Sequence, residues 1–196
     1  MCYSFEVSLL GGILTYILGF IILQRKLNVK ERQYVYFLFI FSSIQFADAL
    51  LWYSGMKKNN LNYYTTSILI PLILSIQVLF NFYIINKFKN PLIIIFSILL
   101  TIYFFYYFNG YSKPFCRNNL SSPIWGGSDI SILGAFIFAI MIFYPNWKII
   151  LYSIIIITLI KIIIKGSIGS WWCFISIFFS VIYYFVFGTK YVNIIM

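Results

Sequence analysis

The sequence predicts an all-α polytopic membrane protein, a bundle of seven transmembrane helices. Three observations point there. Apolar runs of about 20 residues, the length of a bilayer-crossing helix, recur along the whole chain. The 196 residues are 62% hydrophobic and only 9% charged, far too few charges for the surface of a soluble domain. The basic residues that produce the net charge of +10 sit mostly between the apolar runs.

Taken in order, the expected spans are Phe5 to Leu23, Gln33 to Ser54, Tyr64 to Asn86, Pro91 to Phe108, Ser128 to Tyr144, Trp147 to Lys165 and Gly169 to Gly188. Residues 1–196 form a single transmembrane domain with no room for a separate soluble one. The first span is not expected to be a cleavable signal. It has no positive n-region, carries Glu6 near its start, and has its charges after the apolar stretch.

Those charges, Arg25, Lys26, Lys30 and Arg32, favour an outer N-terminus and an inner first loop. On that orientation the inner side also holds Lys87, Lys89, Lys148 and Lys190. The outer side holds Lys57, Lys58, Lys113, Arg117 and Lys165, so the balance is eight against five. The longest connection, residues 109–127, then lies outside. Pro114, Pro123 and the pair Gly126-Gly127 mark it as a turn-rich lid, and Asn119-Leu120-Ser121 is a glycosylation acceptor pattern. Trp52, Trp125, Trp171 and Trp172 fall near the outer ends, as in an aromatic belt.

Small residues repeat every four positions in the first span (Gly11, Thr15, Gly19) and the fifth (Ser131, Ala135, Ala139), where helix backbones can approach closely. Ser43-Ile44-Gln45 recurs as Ser75-Ile76-Gln77, a faint sign of an internal repeat. The sixth span has no counterpart of Gln45.

The second span carries the residues most in need of explanation. Ser42, Gln45, Asp48 and Trp52 stand at i, i+3, i+6 and i+10 and share one helical stripe. Gln77 and Asn81 form a second stripe on the third span. An acid at mid-bilayer costs about 2.5–3.5 kcal/mol on insertion scales, so Asp48 should face the bundle interior with a partner or water. At about 1.5 Å rise per residue, Asp48 lies about 22 Å from the inner face and Lys161 about 21 Å. These depths predict an Asp48–Lys161 pair, with snorkelling of Lys161 toward the outer headgroups as the alternative. Gln45 and Gln77 are expected to bond across neighbouring helices, with Pro71 near Asp48.

Cys2, Cys116 and Cys173 all fall on the outer side, so one disulfide can form, Cys116 with Cys2 or with Cys173. With Glu6 they make a conceivable outer cluster, but their spacing matches no metal-ligand pattern, and neither a metal nor a cofactor is expected. There is no His, which removes the usual general base and the commonest metal ligand. No Walker loop, HExxH or GxSxG occurs. A second intramembrane Asp for proteolysis is also missing, since Asp129 is read as a helix N-cap. No Arg-rich arm or base-stacking module suggests nucleic acid.

The opening Met1-Cys2-Tyr3-Ser4, the short basic loop, and Gln45-x-x-Asp48 before Trp52 resemble a group of uncharacterised multi-pass membrane proteins from bacteria and large DNA viruses. The likeness covers about the first third of the chain and the hydropathy profile. It implies that Cys2, Gln45, Asp48 and Trp52 belong together and, for a viral member, a host or viral membrane. It implies no activity.

The leading expectation is therefore a small transporter or channel-like protein in the lipid bilayer, with a polar layer around Asp48 for a small polar or ionic solute. It could work as a homo-oligomer. A structural or assembly protein, whose polar layer only fixes helix packing, is the alternative. An intramembrane enzyme using Asp48 or Glu6 comes third.

Overall fold

The computed structural model describes residues 4–117, 120–127, 129–164 and 168–186. They are mostly helical. Helix α1 is Phe5–Leu23, α2 is Val29–Tyr53 and α3 is Asn60–Ile85. Helix α4 is Pro91–Tyr107 and α5 is Ile132–Phe143. Helix α6 is Trp147–Leu159, continued by the π-helical turn Ile160–Ile164, and α7 is Ile168–Val186. The first three are long and apolar enough to cross a membrane; α4 and α5 are shorter apolar helices.

The helix starts are written in short polar side chains that accept from the otherwise unpaired first-turn N–H groups. Ser4 accepts from Val7, Asn59 from Asn62, Asn90 from Leu92, Ser131 from Gly134 and Asn146 from Ile149. Asn28 and Glu31 form a reciprocal capping box (2.9 and 2.8 Å). This box moves the start of α2 ahead of the expected Gln33 and makes the basic stretch Lys30 to Arg32 helical. Asp129 was expected to cap the fifth helix; Ser131 does so instead.

Helix α3 is not regular. A π-helical turn, Thr65–Leu69, precedes Pro71, and a second, Phe80–Ile85, ends the helix. Proline has no N–H to give the preceding turn, and the wider turn absorbs that mismatch.

The molecule is turned inside out relative to a soluble protein. Ser8, Thr15, Ser42, Gln45, Asp48, Gln77 and Asn81 are buried. Leu10, Ile17, Phe20, Ile95, Leu99 and Tyr106 are exposed. On α4 only Ser97 and Phe104 are buried, so almost the whole helix presents apolar side chains outward. Such a surface suits lipid rather than water.

Helices α1, α2 and α7 pack on one another, and α2 also packs on α3, so α2 sits at the centre. The small-residue face of α1 makes the close approach. A Cβ on Gly12 would lie 2.9 Å from the Phe46 ring, and one on Gly19 would lie 2.3 Å from that of Phe39. Both phenyl rings of α2 thus occupy the space that glycine leaves.

Between α4 and α5 the chain forms a feature the sequence reading did not contain, a β-hairpin. Strand β1 (Lys113–Arg117) pairs antiparallel with β2 (Leu120–Ile124), placing Lys113 opposite Ile124 and Pro114 opposite Pro123. A 3-10 turn, Trp125–Gly127, follows. Proline is tolerated because a two-stranded ribbon has only edges, and it blocks further strand addition there.

Candidate functional site

The 3-10 turn after the hairpin delivers Trp125 into the bundle. Gly126 adopts φ 65° and lies so close to α4 that a Cβ would stand 3.0 Å from Phe108 Cα and 3.1 Å from the Tyr107 carbonyl oxygen. Only glycine satisfies both conditions. Trp125 is 3% exposed. Its ring meets Phe108 edge-on (5.8 Å between centroids, 73°) and lies flush on α7, where a Cβ on Gly169 would be 2.6 Å from the indole.

The buried indole needs an acceptor, and Asp48 supplies it. Trp125 Nε1 donates to Asp48 Oδ1 at 2.8 Å, and Asp48 is 1% exposed. A hydrogen bond of this kind is worth more away from water, where leaving either group unpaired is costly. The carboxylate on the central helix is thus reached from the turn that follows the hairpin. Trp125 is buried in the bundle rather than exposed on its surface as a belt residue would be.

The expected partner of Asp48 was Lys161. The structure gives Lys161 to Asp129 instead, Nζ to Oδ2 at 2.7 Å. Asp129 Oδ1 also accepts from the backbone N–H of Ile168 (3.2 Å), and its carbonyl accepts from the Tyr107 hydroxyl (2.9 Å). Asp129 thereby clasps the π-helical end of α6 to the start of α7 and the end of α4. Equal depth along two helices did not bring Asp48 and Lys161 together, because the Lys161 side chain is directed to the segment ahead of α5.

Gln45 and Gln77 do not bond each other either. Gln45 faces α1 and α7; a Cβ on Gly11 would lie 3.8 Å from Gln45 Oε1 and 3.0 Å from Ile177 Cδ1. Gln45 Nε2 and Gln77 Oε1 are buried with no hydrogen-bond partner, as are Ser8 Oγ, Trp52 Nε1 and Ser75 Oγ. Ser42 Oγ donates back to the Phe39 carbonyl (3.2 Å). Gln45 and Trp52 stand about one turn to either side of Asp48 on the same face of α2. The antiparallel register of α1, fixed by Gly12 against Phe46 and by Phe5 against Tyr53, sets Ser8 level with the stretch between Phe46 and Tyr53. Asp48 is therefore flanked along a buried seam by polar atoms without partners.

Two other polar clusters are fully engaged. Asn62 Nδ2 donates to the carbonyls of Lys57 and Ser112, both at 3.0 Å. Its Oδ1 accepts from Ser112 N–H (2.9 Å) and from Thr66 Oγ1 (3.0 Å), and Thr66 and Ser112 share a hydroxyl–hydroxyl bond of 2.7 Å. Ser67 exchanges hydrogen bonds with the backbone of Gly110. This cluster ties the start of α3 to the strand leading into the hairpin. Asn62, Thr66, Ser67 and Ser112 were not among the expected site residues; the Asn59-x-x-Asn62 cap spacing was the available signal. At the other end of α3, Asn81 Nδ2 donates to the carbonyls of Met141 and Tyr144 (3.0 and 2.9 Å), and Asn86 Nδ2 to those of Asn81 and Tyr144 (2.9 and 3.1 Å). These bonds satisfy the open C-terminal carbonyls of α5.

Comparison with known proteins finds no matching family model, no similar curated protein and no similar solved structure. Of the expected outer cluster, Glu6 is exposed and accepts from the Ser4 hydroxyl. Cys2 and the side chains of Cys116 and Cys173 lie outside the described residues. Among the described residues no three His, Cys, Asp or Glu side chains gather as a metal site would require. The arrangement offers a buried carboxyl group bonded to the Trp125 indole N–H.

Proposed function

We propose that the chain crosses the membrane seven times, N-terminus outside, and passes a small cation or proton along the seam that contains Gln45, Asp48 and Trp52. Trp125 closes the outer end, and its bond to Asp48 holds the closed form. A cation suits the seam because the acid on it, Asp48, is a carboxylic acid, and a buried carboxylate is stabilised by a positive charge or a proton.

One observation carries this reading. The polar atoms flanking Asp48 are buried without partners, while the clusters at Asn62 and Asn81 are paired. Each orphaned polar group costs about 1–3 kcal/mol. A seam that served only to pack helices would gain from pairing or losing them; a path pays that cost when closed. The second reading, a structural or assembly role, draws on the Asp48–Trp125 bond itself, which would pin the hairpin to the bundle without any transport.

Proteoliposomes carrying a potassium gradient and an internal pH-sensitive dye separate the two. Wild type is expected to pass potassium or protons slowly. Trp125→Phe keeps a smaller aromatic ring and removes the N–H, and should raise the rate at least about tenfold, the population shift expected from losing about 1.5 kcal/mol of closing bond. Asp48→Asn should abolish the flux. Equal flux in wild type and Asp48→Asn, or none in wild type and Trp125→Phe alike, would leave the structural reading.

A further inference from the structure

The cleft at the opposite end of the bundle from the hairpin has a chemistry of its own. It has a volume of about 300 Å³ and opens where α2 and α6 begin and α3 and α5 end. Its floor is apolar, built from Phe37, Ile85, Ile142 and Ile149. Its rim carries Lys30 and Lys148, the first from α2 and the second from α6. Neither lysine forms an ion pair among the described residues. Trp147, 63% exposed, stands at the edge, where an indole suits the boundary between headgroups and acyl chains. The polar groups deeper in, Asn81 and Asn86, have their amide N–H groups committed to backbone carbonyls, so the charged donors lining the cleft are the two lysines, Lys30 also standing 5.9 Å over the Tyr34 ring.

Charge around the mouth is mostly positive. Arg25, Lys26, Arg32, Lys87 and Lys89 belong to the same end of the bundle. The acid nearest in sequence, Glu31, is occupied in the capping box with Asn28. A molecule that fits must therefore combine a negative head with an apolar body. A free inorganic anion has no use for the apolar floor, and a neutral lipid has none for the two lysines. We infer that this cleft is a binding site for a single anionic phospholipid, its phosphate between Lys30 and Lys148 and its acyl chains leaving along the apolar floor.

Native mass spectrometry of the full chain in detergent, titrated with phosphatidylglycerol, phosphatidylcholine or inorganic phosphate, tests this. One phosphatidylglycerol is expected to bind wild type at least about tenfold more tightly than either of the others. The double variant Lys30→Gln/Lys148→Gln should lose that preference, while Lys57→Gln/Lys58→Gln at the other end keeps it. Both rim lysines are exposed, so the variant should melt in lipid-free detergent as wild type does. Each single variant should lie between wild type and the double. Unchanged phosphatidylglycerol binding in the double variant would overturn the assignment. So would equal binding of phosphatidylcholine, or of inorganic phosphate alone.

Discussion

Trp125→Ala is expected to destabilise the protein by about 5–8 kcal/mol, the largest effect of any single substitution in the bundle. Two terms add. Removing a buried Trp ring costs about 3–5 kcal/mol, because the surroundings collapse only partly into the space. Here the space is bounded by the backbone of α7 at Gly169 and by the ring of Phe108, neither of which moves easily. The second term is the donor lost by Asp48, about 1.5–3 kcal/mol for a bond to a charged group. Trp125→Phe removes the same donor with a much smaller loss of volume. Thermal unfolding in detergent micelles measures both. A loss below about 1 kcal/mol for Trp125→Ala would mean that the indole is not seated in the bundle.

The second large effect is at Asn62. Asn62→Leu removes the side chain that serves both the N–H and the carbonyl of Ser112, with the Lys57 carbonyl besides. Leucine fills a similar volume but pairs with none of them. With Asn62 fully buried and Ser112 nearly so, the unpaired groups should cost about 3 kcal/mol together. Thr66→Val, which removes one hydroxyl from the same cluster, should cost about 1 kcal/mol. The loss should also free the segment leading into the hairpin, so chymotrypsin should cut after Tyr111, next to Ser112, in Asn62→Leu under conditions that leave Thr66→Val intact. Equal cleavage of the two would show that Asn62 does not hold this segment.

How far the sequence reached follows from what its signals encode. Apolar run length is a local signal, and it placed α1 at its observed bounds. Where a charged stretch touched a run, as at Lys30 to Arg32, the reading stopped too early. Long basic side chains at a helix end can extend to the interface while their backbone is helical. The hairpin was not legible, because Pro114 and Pro123 argue against strands and its two five-residue strands are too short for alternation to speak. Asp48 was singled out correctly as a residue that must have a partner. The partner could not be found from depth alone. Rise per residue gives a position along the axis but not the direction of the side chain, and the partner came from a connecting segment with no place on that scale. Asn62 was missed because it fell outside the expected third span, where an Asn reads as an ordinary loop residue.

The central claim is that the bond from Trp125 Nε1 to Asp48 holds the turn after the hairpin in the bundle. A double-mutant cycle with Trp125→Phe, Asp48→Asn and the combined variant, read by unfolding in detergent, tests it most directly. The account predicts a coupling of about 1.5–3 kcal/mol, with the second substitution costing little once the first is made. Additive losses, agreeing to within about 0.5 kcal/mol, would contradict it.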